Sequence, residues 1–393
     1  MEPFSNISIS TTNHLSTNRF SATVASIPKV FRLVIIFSLS VPSVVAQVPY
    51  HPTTILRNDS LLYIFRPQSS TSAQYELASI KIDSKLYSAH PNPTIINPTL
   101  PFLDSNRRAF TPVLGEGGNI TVYTGDCDKG ADGAQVWTFV PGEDQETIWK
   151  QEEVSFSADQ AYPATIGPNF LNGGISFSSL AEPTVLSTDA YFFGGMCPTD
   201  DEEDDWQSSA NYSNSMVVLQ PANSATTAIN YRLGISSSRG PPIAEAGFTL
   251  TGLEPTYSNK SDGTQTQQQN FVLLGGHTRS AFINMSQIAL FALPQQSWTF
   301  LSIEQPDPEG ENVQTDVTEI ESRSGHTAVL TPDGQRIVVF GGWVGDLDTP
   351  AYPQLAVLNV GDSFGGNGSW EWVAQRFRVQ DCRTTQESMG MAP

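Results

Sequence analysis

The strongest constraint on this chain is a short hydrophobic run that ends in two glycines and recurs along the sequence. The clearest copy joins the run at residues 323–330, through the Pro-Asp-Gly turn at 332–334, to the run at 337–340 that precedes Gly341 and Gly342. Proline presets φ and glycine tolerates positive φ, so this turn joins two strands. The β-branched composition of the second run is typical of a buried strand. The pattern predicts a strand, a turn, a second strand and then a glycine pair.

Further copies of this pattern occur upstream, and each is followed by one or two more strand-like runs and often by a tryptophan. Gly194-Gly195 and Gly275-Gly276 are the clearest earlier pairs, whereas Arg66-Pro67 replaces the pair in the first copy. We expect five sheets of four strands each, at residues 55–105, 107–155, 174–235, 243–305 and 323–378. Within the fourth sheet, the stretch from Gln265 to Gln269 is interpreted as a disordered insertion.

A repeated four-stranded sheet cannot bury both of its faces alone, but sheets arranged radially cover one another and leave short edges. The sequence therefore predicts an all-β fold, a β-propeller. The composition agrees, because charged residues make up only 15% of the chain while glycine and proline number 30 and 27. The alternative is a β-sandwich in which the glycine pairs coincide by chance.

The hydrophobic run with its glycine pair, the strand that follows and the tryptophan together resemble the Kelch repeat. From about residue 47 to 377 the chain is similar to fungal secreted or membrane-associated Kelch-repeat proteins of the galactose-oxidase-like propeller superfamily. The resemblance implies a Kelch-type β-propeller. Because Kelch propellers usually have six or seven blades, five blades favour a chain truncated before a sixth; a closed five-blade ring is the alternative. The resemblance assigns structural roles to Gly194, Gly195, Gly275, Gly276, Gly325, His326, Gly341 and Gly342.

The N-terminal region carries the pattern of a secretory signal. Lys29 and Arg32 precede an apolar run that reaches Val45, and Ala46 offers a small residue for cleavage before Gln47. We expect residues 1–46 to be a signal peptide with a long polar n-region, 47–378 to be the propeller and 379–393 a C-terminal tail. A membrane anchor is the alternative, although the uncharged run is short for a span. The expected location is secreted or cell surface, with membrane association through an uncleaved signal or a missing C-terminal anchor.

Two further features agree with an oxidising compartment. Cys127 and Cys197 both follow the second strand of consecutive blades, so we predict a disulfide between them; Cys382 is left without a partner. Predicted glycosylation acceptors are Asn58, Asn119, Asn211, Asn259, Asn284 and Asn367.

The family resemblance invites a search for copper-radical chemistry, which needs two histidine ligands, two tyrosines and a Tyr–Cys crosslink. Beyond residue 46 the chain has His51, His90, His277 and His326, and none stands in a paired ligand spacing. We expect no catalytic residues, no metal and no cofactor. The alternative is a secreted galactose-oxidase-like oxidoreductase or another carbohydrate-active enzyme, since a pair of carboxylates for glycoside hydrolysis has no sequence signature.

The expected partner is an unknown protein or glycan. The formal net charge of −20 repels phosphate backbones, which argues against nucleic-acid binding. The long loops after the glycine pairs would lie on one rim, where Trp206, Tyr212, Trp343 and Tyr352 would offer stacking surfaces. The acidic run from Asp200 to Asp205 is interpreted as a solvated loop, with Ca²⁺ or a basic partner as the alternative.

Overall fold

A computed structural model describes residues 52–68, 74–83, 92–103, 108–141, 148–156, 166–199, 206–222, 229–236, 239–306 and 317–373. The predicted signal peptide, the acidic run 200–205, the tail and Cys382 lie outside these ranges. Strands dominate the described chain, and its helical segments are the 3-10 turns Glu116–Gly118, Cys127–Gly133, Val185–Ser187 and Asp362–Phe364. Within the described ranges, no helix is long and apolar enough to cross a membrane.

Five antiparallel meanders follow one another along the chain, each with a core of four strands, which is the blade arrangement of a β-propeller. Blade 1 has β1 (Thr54–Asn58), β2 (Leu61–Pro67), β3 (Tyr75–Lys81) and β4 (Thr94–Asn97). Blade 2 has β5 (Arg108–Leu114), β6 (Ile120–Asp126), β7 (Ala134–Val140) and β8 (Ile148–Phe156). Blade 3 has β9 (Gly173–Phe177), β10 (Asp189–Phe193), a small hairpin of β11 (Met196–Cys197) and β12 (Asn211–Tyr212), β13 (Met216–Ala222) and β14 (Asn230–Ile235).

The last two blades also carry an extra strand or hairpin. Blade 4 has β15 (Thr249–Gly252), β16 (Thr256–Asn259), β17 (Gln265–Leu274), β18 (Gln287–Leu293) and β19 (Ser297–Ser302). Blade 5 has β20 (Thr327–Leu330), β21 (Arg336–Phe340), a hairpin of β22 (Trp343–Val344) and β23 (Asp346–Pro350), β24 (Leu355–Asn359) and β25 (Glu371–Trp372).

The hydrophobic core is divided into layers, each enclosed by two consecutive blades. Side chains alternate across each strand, so one strand serves two layers. In β17, Phe271 and Leu273 pack toward blade 3, while Val272 and Leu274 pack toward blade 5. The first strands of consecutive blades also contact one another, from β1 through β5, β9 and β15 to β20. This succession of layers is the packing expected of a propeller and gives both faces of blades 2, 3 and 4 a neighbour.

The two terminal blades differ from the others on the faces that point away from their neighbours. On blade 5, Val329 and Phe340 are 57% and 61% exposed, and on blade 1, Ile55 and Ile95 are 54% and 52% exposed. In blades 2 to 4 the corresponding layers are covered. Whether a sixth sheet follows stays a prediction.

Blades 2 and 3 are joined more closely than the sequence predicts. Their fourth strands, β8 and β14, pair in parallel from Glu153 with Asn230 to Phe156 with Leu233. The two blades thus form one continuous eight-stranded sheet. The first strands are linked as well, through a hydrogen bond from the Ser176 hydroxyl to the Leu114 carbonyl.

The glycine pairs of blades 3 and 4 tie their blades to the start of the next blade. Gly195 donates its amide to the Glu245 carbonyl, and Gly276 donates to the Arg323 carbonyl, at 2.8 Å in both cases. All six glycines of the three pairs have φ between 60° and 99°, a region that side chains with a Cβ rarely adopt. Glu245 and Arg323 therefore occupy equivalent positions in blades 4 and 5.

The residue that follows each pair also takes part in this repeat. Met196, His277 and Trp343 exchange two backbone hydrogen bonds with Phe170, Ala246 and Ser324, respectively. By this register Asn169 is the blade 3 equivalent of Glu245 and Arg323. Leu171, Gly247 and Gly325 come next, and all three have positive φ, of 56°, 69° and 66°.

One sequence-based expectation for blade 4 is wrong. The stretch from Gln265 to Gln269 is not a disordered insertion but the first half of β17, paired with β16 from Gln265 opposite Asn259 to Gln268 opposite Thr256. Side chains such as Gln267, whose amide donates to the Ser178 carbonyl at 2.8 Å, stabilise this polar strand through hydrogen bonds rather than burial.

Candidate functional site

A pocket of about 910 Å³ lies on the rim where the loops of blades 3, 4 and 5 meet. Blade 3 contributes residues 206–208, blade 4 contributes 279–282, and blade 5 contributes 343–349 on and around its rim hairpin. Polar groups line it beside aromatic ones, with Gln207, Arg279 and Asp346 among them. The guanidinium of Arg279 donates to the Ala210 carbonyl at 2.9 Å, which holds the loops of blades 3 and 4 together.

An aromatic cluster around His277 forms the base of this rim. The imidazole centroid lies 5.4 Å from the ring of Trp343 and 5.8 Å from those of Trp206 and Tyr212, and Phe282 lies at 5.9 Å. The imidazole is fully buried. The side chains of Trp206 and Trp343 are only 8% and 5% exposed and pack on each other at 5.9 Å. The two indoles therefore contribute a wall rather than freely exposed faces.

The hydrogen bonds around His277 indicate which imidazole nitrogen carries the proton, and its burial determines whether the ring is charged. The Ser324 hydroxyl donates to the Gly247 carbonyl at 3.2 Å, so its 2.8 Å contact with His277 Nδ1 uses a proton on the imidazole. Burial lowers the pKa of His277 to about 4, which keeps the ring neutral at physiological pH. A serine nucleophile needs a histidine that accepts its proton, and this pair has the opposite polarity.

The structure brings three of the four predicted binding residues together and leaves the fourth apart. Trp206, Tyr212 and Trp343 all contact His277. Among the ring contacts of the described residues, Tyr352 has none with this cluster; its side chain is 54% exposed, and its backbone bonds to Glu321. A ligand-binding role for the four residues stays a prediction.

Sequence reasoning did not single out two charged residues that the fold buries. Glu245 and Arg323 are 1% and 0% exposed. The Arg323 guanidinium donates to the Gly341 carbonyl at 3.1 Å, and burial lowers its pKa to about 10. The sequence signal that could have identified them is their common position in the repeat, two residues before Gly247 and Gly325. His326 is also buried, with its pKa lowered to about 3 by desolvation, and its Nε2 lies 3.0 Å from Thr249 Oγ1.

The predicted disulfide is present. Cys127 and Cys197 are bonded with their Cα atoms 5.6 Å apart, which crosslinks the rim loops of blades 2 and 3 across 70 residues of chain. In the described part of the chain, these cysteines and Asp128 are the one group of histidine, cysteine and acidic residues close enough to hold a metal ion. Both sulfurs are committed to the disulfide, so they supply neither thiolate ligands nor a Tyr–Cys crosslink. These residues do not fit a copper-radical centre.

A second, smaller cavity of about 380 Å³ lies between blades 2 and 3 and contains carboxyl groups. Asp189 lines it, and desolvation raises the pKa of this carboxyl although Gln220 and Tyr191 hydrogen bond to it. Glu152 lines it as well, with Oε2 3.1 Å from the Lys150 ammonium and Oε1 accepting from Thr138 at 2.8 Å. The cavity thus combines a partly desolvated carboxyl, whose pKa is raised, with one paired to a cation.

The predicted glycosylation acceptors differ in exposure. Asn211, Asn259, Asn284 and Asn367 are exposed, whereas Asn58 and Asn119 are half-buried. The Asn58 amide packs directly against Gly118. Glycosylation itself stays a prediction.

Comparison with known proteins yields a likeness in fold and nothing finer. No family model matches the chain. No curated protein matches it either. Among solved structures, the α-L-arabinofuranosidase from Lactobacillus brevis aligns with a TM-score of 0.41 and 10% identity over 86% of this chain and 98% of its own. The α-L-arabinanase of Penicillium chrysogenum aligns at 0.38 and 11% over 84% and 82%, and the Bacillus subtilis arabinanase at 0.37 and 12% over 81% and 97%. At these scores the likeness carries no inference about activity.

Proposed function

We propose that this chain is an extracellular Kelch-type β-propeller whose rim pocket binds a glycan. The observation that carries the proposal is the pocket of about 910 Å³ assembled from the loops of three blades. Its volume falls within the range of about 300–1,000 Å³ that ligand sites occupy. Aromatic walls suit the apolar face of a sugar, and the polar groups of Gln207, Arg279 and Asp346 suit its hydroxyls.

A glycan array followed by titration calorimetry on the full chain tests this proposal. We expect Asp346→Ala and Thr349→Trp to weaken binding at least about tenfold, which corresponds to about 1.4 kcal/mol, because one removes a hydrogen-bonding group and the other fills the pocket. Both positions are exposed, so the fold should tolerate the changes. Glu182→Gln, an exposed acidic residue outside the pocket lining, is the charge-matched control. Wild-type protein that binds peptides but no glycan would refute the proposal.

The cavity between blades 2 and 3 supports a second candidate, glycoside hydrolysis. Such reactions use two carboxyl groups in different environments, and the cavity holds Asp189, whose pKa is raised by desolvation, together with Glu152, which pairs with the Lys150 ammonium. We expect hydrolysis of a 4-nitrophenyl glycoside panel to depend on both residues and to be lost in Asp189→Asn and Glu152→Gln. Glu182→Gln should retain the wild-type rate. A wild-type chain inert toward the whole panel, while glycan binding persists at the rim, would exclude this candidate and leave the first intact.

A further inference from the structure

Beside the rim pocket, blade 4 encloses a separate cavity of about 560 Å³ with a largely apolar lining. Leu273, Phe282, Ile288 and Phe300 contribute to its walls, and Ile243, which is 61% exposed, lies among its lining residues. Such a cavity offers a ligand substantial apolar contact without a change in the fold.

Glu245 is the one titratable residue in this lining. It is 1% exposed, its Oε1 is buried without a hydrogen-bond partner, and no ion pair or hydrogen bond of its side chain occurs within the described chain. A buried carboxyl group without a partner is costly, and native proteins normally satisfy such groups. The missing partner is an N–H or cationic donor that enters from the cavity.

The repeat shows which kind of group is missing. In blade 3 the Asn169 amide donates to the Gly194 carbonyl at 3.1 Å, and in blade 5 the Arg323 guanidinium donates to the Gly341 carbonyl at 3.1 Å. Each is a side-chain N–H donor bound to the first glycine of its own pair. Blade 4 has Glu245 at this position, and a carboxyl group has no N–H to give to Gly275. Gly275 and Glu245 both line the cavity, and Glu245 Oε1 has no hydrogen-bond partner although Thr278, Ser280, Asn284 and Gln287 line the cavity as well.

We propose that this cavity binds an organic primary amine, whose ammonium group takes the place that Asn169 and Arg323 fill in the neighbouring blades. The ammonium donates to the Glu245 carboxylate and the Gly275 carbonyl, and the apolar part of the amine packs against Phe282 and Phe300. The net charge of −20 favours the approach of a cation to the surface. This cavity shares Ser280, Ala281 and Phe282 with the lining of the rim pocket, but Glu245 lines this cavity alone, and the proposal does not depend on the proposed function.

Binding should release a proton. Desolvation raises the pKa of Glu245 to about 8, so the empty cavity holds a protonated carboxyl at neutral pH. The incoming ammonium stabilises the carboxylate, and the carboxyl proton passes to the buffer as the ion pair forms. Desolvation is the cause of this shift in the pKa of Glu245, and no charged neighbour contributes to it. Of the buried ionisable groups in blades 4 and 5, His277 is hydrogen-bonded to Ser324, and Arg323 to the Gly341 carbonyl.

The test is titration calorimetry of the full chain with hexylamine, at pH 6.5 and pH 9 in buffers of different ionisation enthalpy. We expect binding with release of about one proton at pH 6.5 and almost none at pH 9, because the carboxyl is already ionised there. Hexan-1-ol and hexanoate should bind at least about tenfold more weakly. Hexyltrimethylammonium should also bind more weakly, since it carries the charge but no N–H donor.

Two variants distinguish the contribution of the carboxyl group to binding from that of the apolar walls. Glu245→Gln should weaken hexylamine binding at least about tenfold and abolish proton release, whereas exposed Glu254→Gln in the same blade should behave as wild type. Ile243→Ser should weaken the binding of hexylamine and of hexan-1-ol by a similar factor. Equal binding of hexylamine and hexan-1-ol, or binding without proton release at pH 6.5, would overturn the proposal even if Glu245→Gln failed to fold. Loss of glycan binding alone would leave it untouched.

Discussion

The amide of Gly276 donates a 2.8 Å hydrogen bond to the carbonyl of Arg323, and this contact joins the glycine pair of blade 4 to the entrance of blade 5. The preceding residue, Gly275, is as close: a Cβ added there would lie 2.7 Å from the same carbonyl oxygen. The pair is therefore needed for two physical reasons, positive φ and close approach of the next blade.

These two reasons can be separated by substitution. Gly341, the first glycine of the blade 5 pair, has φ of 75° but nothing within 4 Å of an added Cβ, whereas Gly275 has φ of 60° and the clash. We expect Gly341→Ala to cost about 1–2 kcal/mol of unfolding free energy from the left-handed backbone alone. Gly275→Ala should cost roughly 3–5 kcal/mol because steric overlap is added. Urea denaturation of both variants checks this difference; equal costs would contradict it.

The Cys127–Cys197 disulfide closes a loop with a sequence separation of 70 residues. In the chain-entropy treatment, a crosslink over such a loop contributes about 4 kcal/mol by restricting the unfolded chain. We expect Cys127→Ser combined with Cys197→Ser to lower the free energy of unfolding by about 2–4 kcal/mol. Denaturant unfolding under oxidising conditions measures the loss. Cys382→Ser is the control, and an equal effect of that substitution would show that the disulfide is not the cause.

Exposure should decide which predicted sequons carry glycans in a secreted product. We expect occupancy at the exposed Asn211, Asn259, Asn284 and Asn367, and little at Asn58, whose amide is packed against Gly118. Enzymatic deglycosylation in ¹⁸O-water followed by peptide mass spectrometry reads each site separately. Full labelling at Asn58 would contradict this prediction, and would mean that the glycan is attached before blade 1 has folded around this side chain.

The fold could be predicted from the sequence because each copy of the repeat encodes one sheet through residues close together in the chain. The β-branched runs and the glycine pairs after them predict where the second strand of each sheet lies and ends. The two cysteines predict the disulfide. The parallel pairing of β8 with β14 was not accessible, since it joins strands far apart in sequence through backbone atoms alone. The β16–β17 hairpin was missed because its glutamines lack a hydrophobic pattern and are stabilised by hydrogen bonds.

The candidate site was accessible only in part. Trp206, Tyr212 and Trp343 could be placed on one rim because they follow the glycine pairs of blades 3 and 5. Glu245 and Arg323 were missed because a charged residue ahead of a strand usually indicates a solvated loop. Their burial follows from the close approach of the preceding glycine pair, which becomes visible only when the blades are stacked.

Buried ionisable groups should give the stability of this protein a distinctive dependence on pH. Burial raises the pKa of Glu245 from 4.5 to about 8, so the folded state holds a proton that the unfolded state has lost, and stability falls as pH rises across that window. Burial lowers the pKa of His277 and His326 from 6.5 to about 4 and about 3, so stability falls as pH drops below 6.5. The two effects oppose each other from pH 4.5 to about 7.5, where the histidines of the unfolded state have lost their protons, and above about pH 7.5 the Glu245 contribution stands alone.

We therefore expect the free energy of unfolding to fall by about 1 kcal/mol between pH 6.5 and pH 8, because Glu245 lowers it by about 2 kcal/mol while the two histidines, half protonated in the unfolded state at pH 6.5, restore about 1 kcal/mol. Glu245→Gln should remove this fall, because the amide does not titrate, and should steepen the loss below pH 6.5 by removing the opposing contribution. Urea midpoints measured across pH 4.5–8.5 for wild type, Glu245→Gln and the exposed control Glu254→Gln test the expected changes in stability above and below pH 6.5. A fall above pH 6.5 that persists unchanged in Glu245→Gln would contradict the prediction, because it would show that a group other than Glu245 causes it.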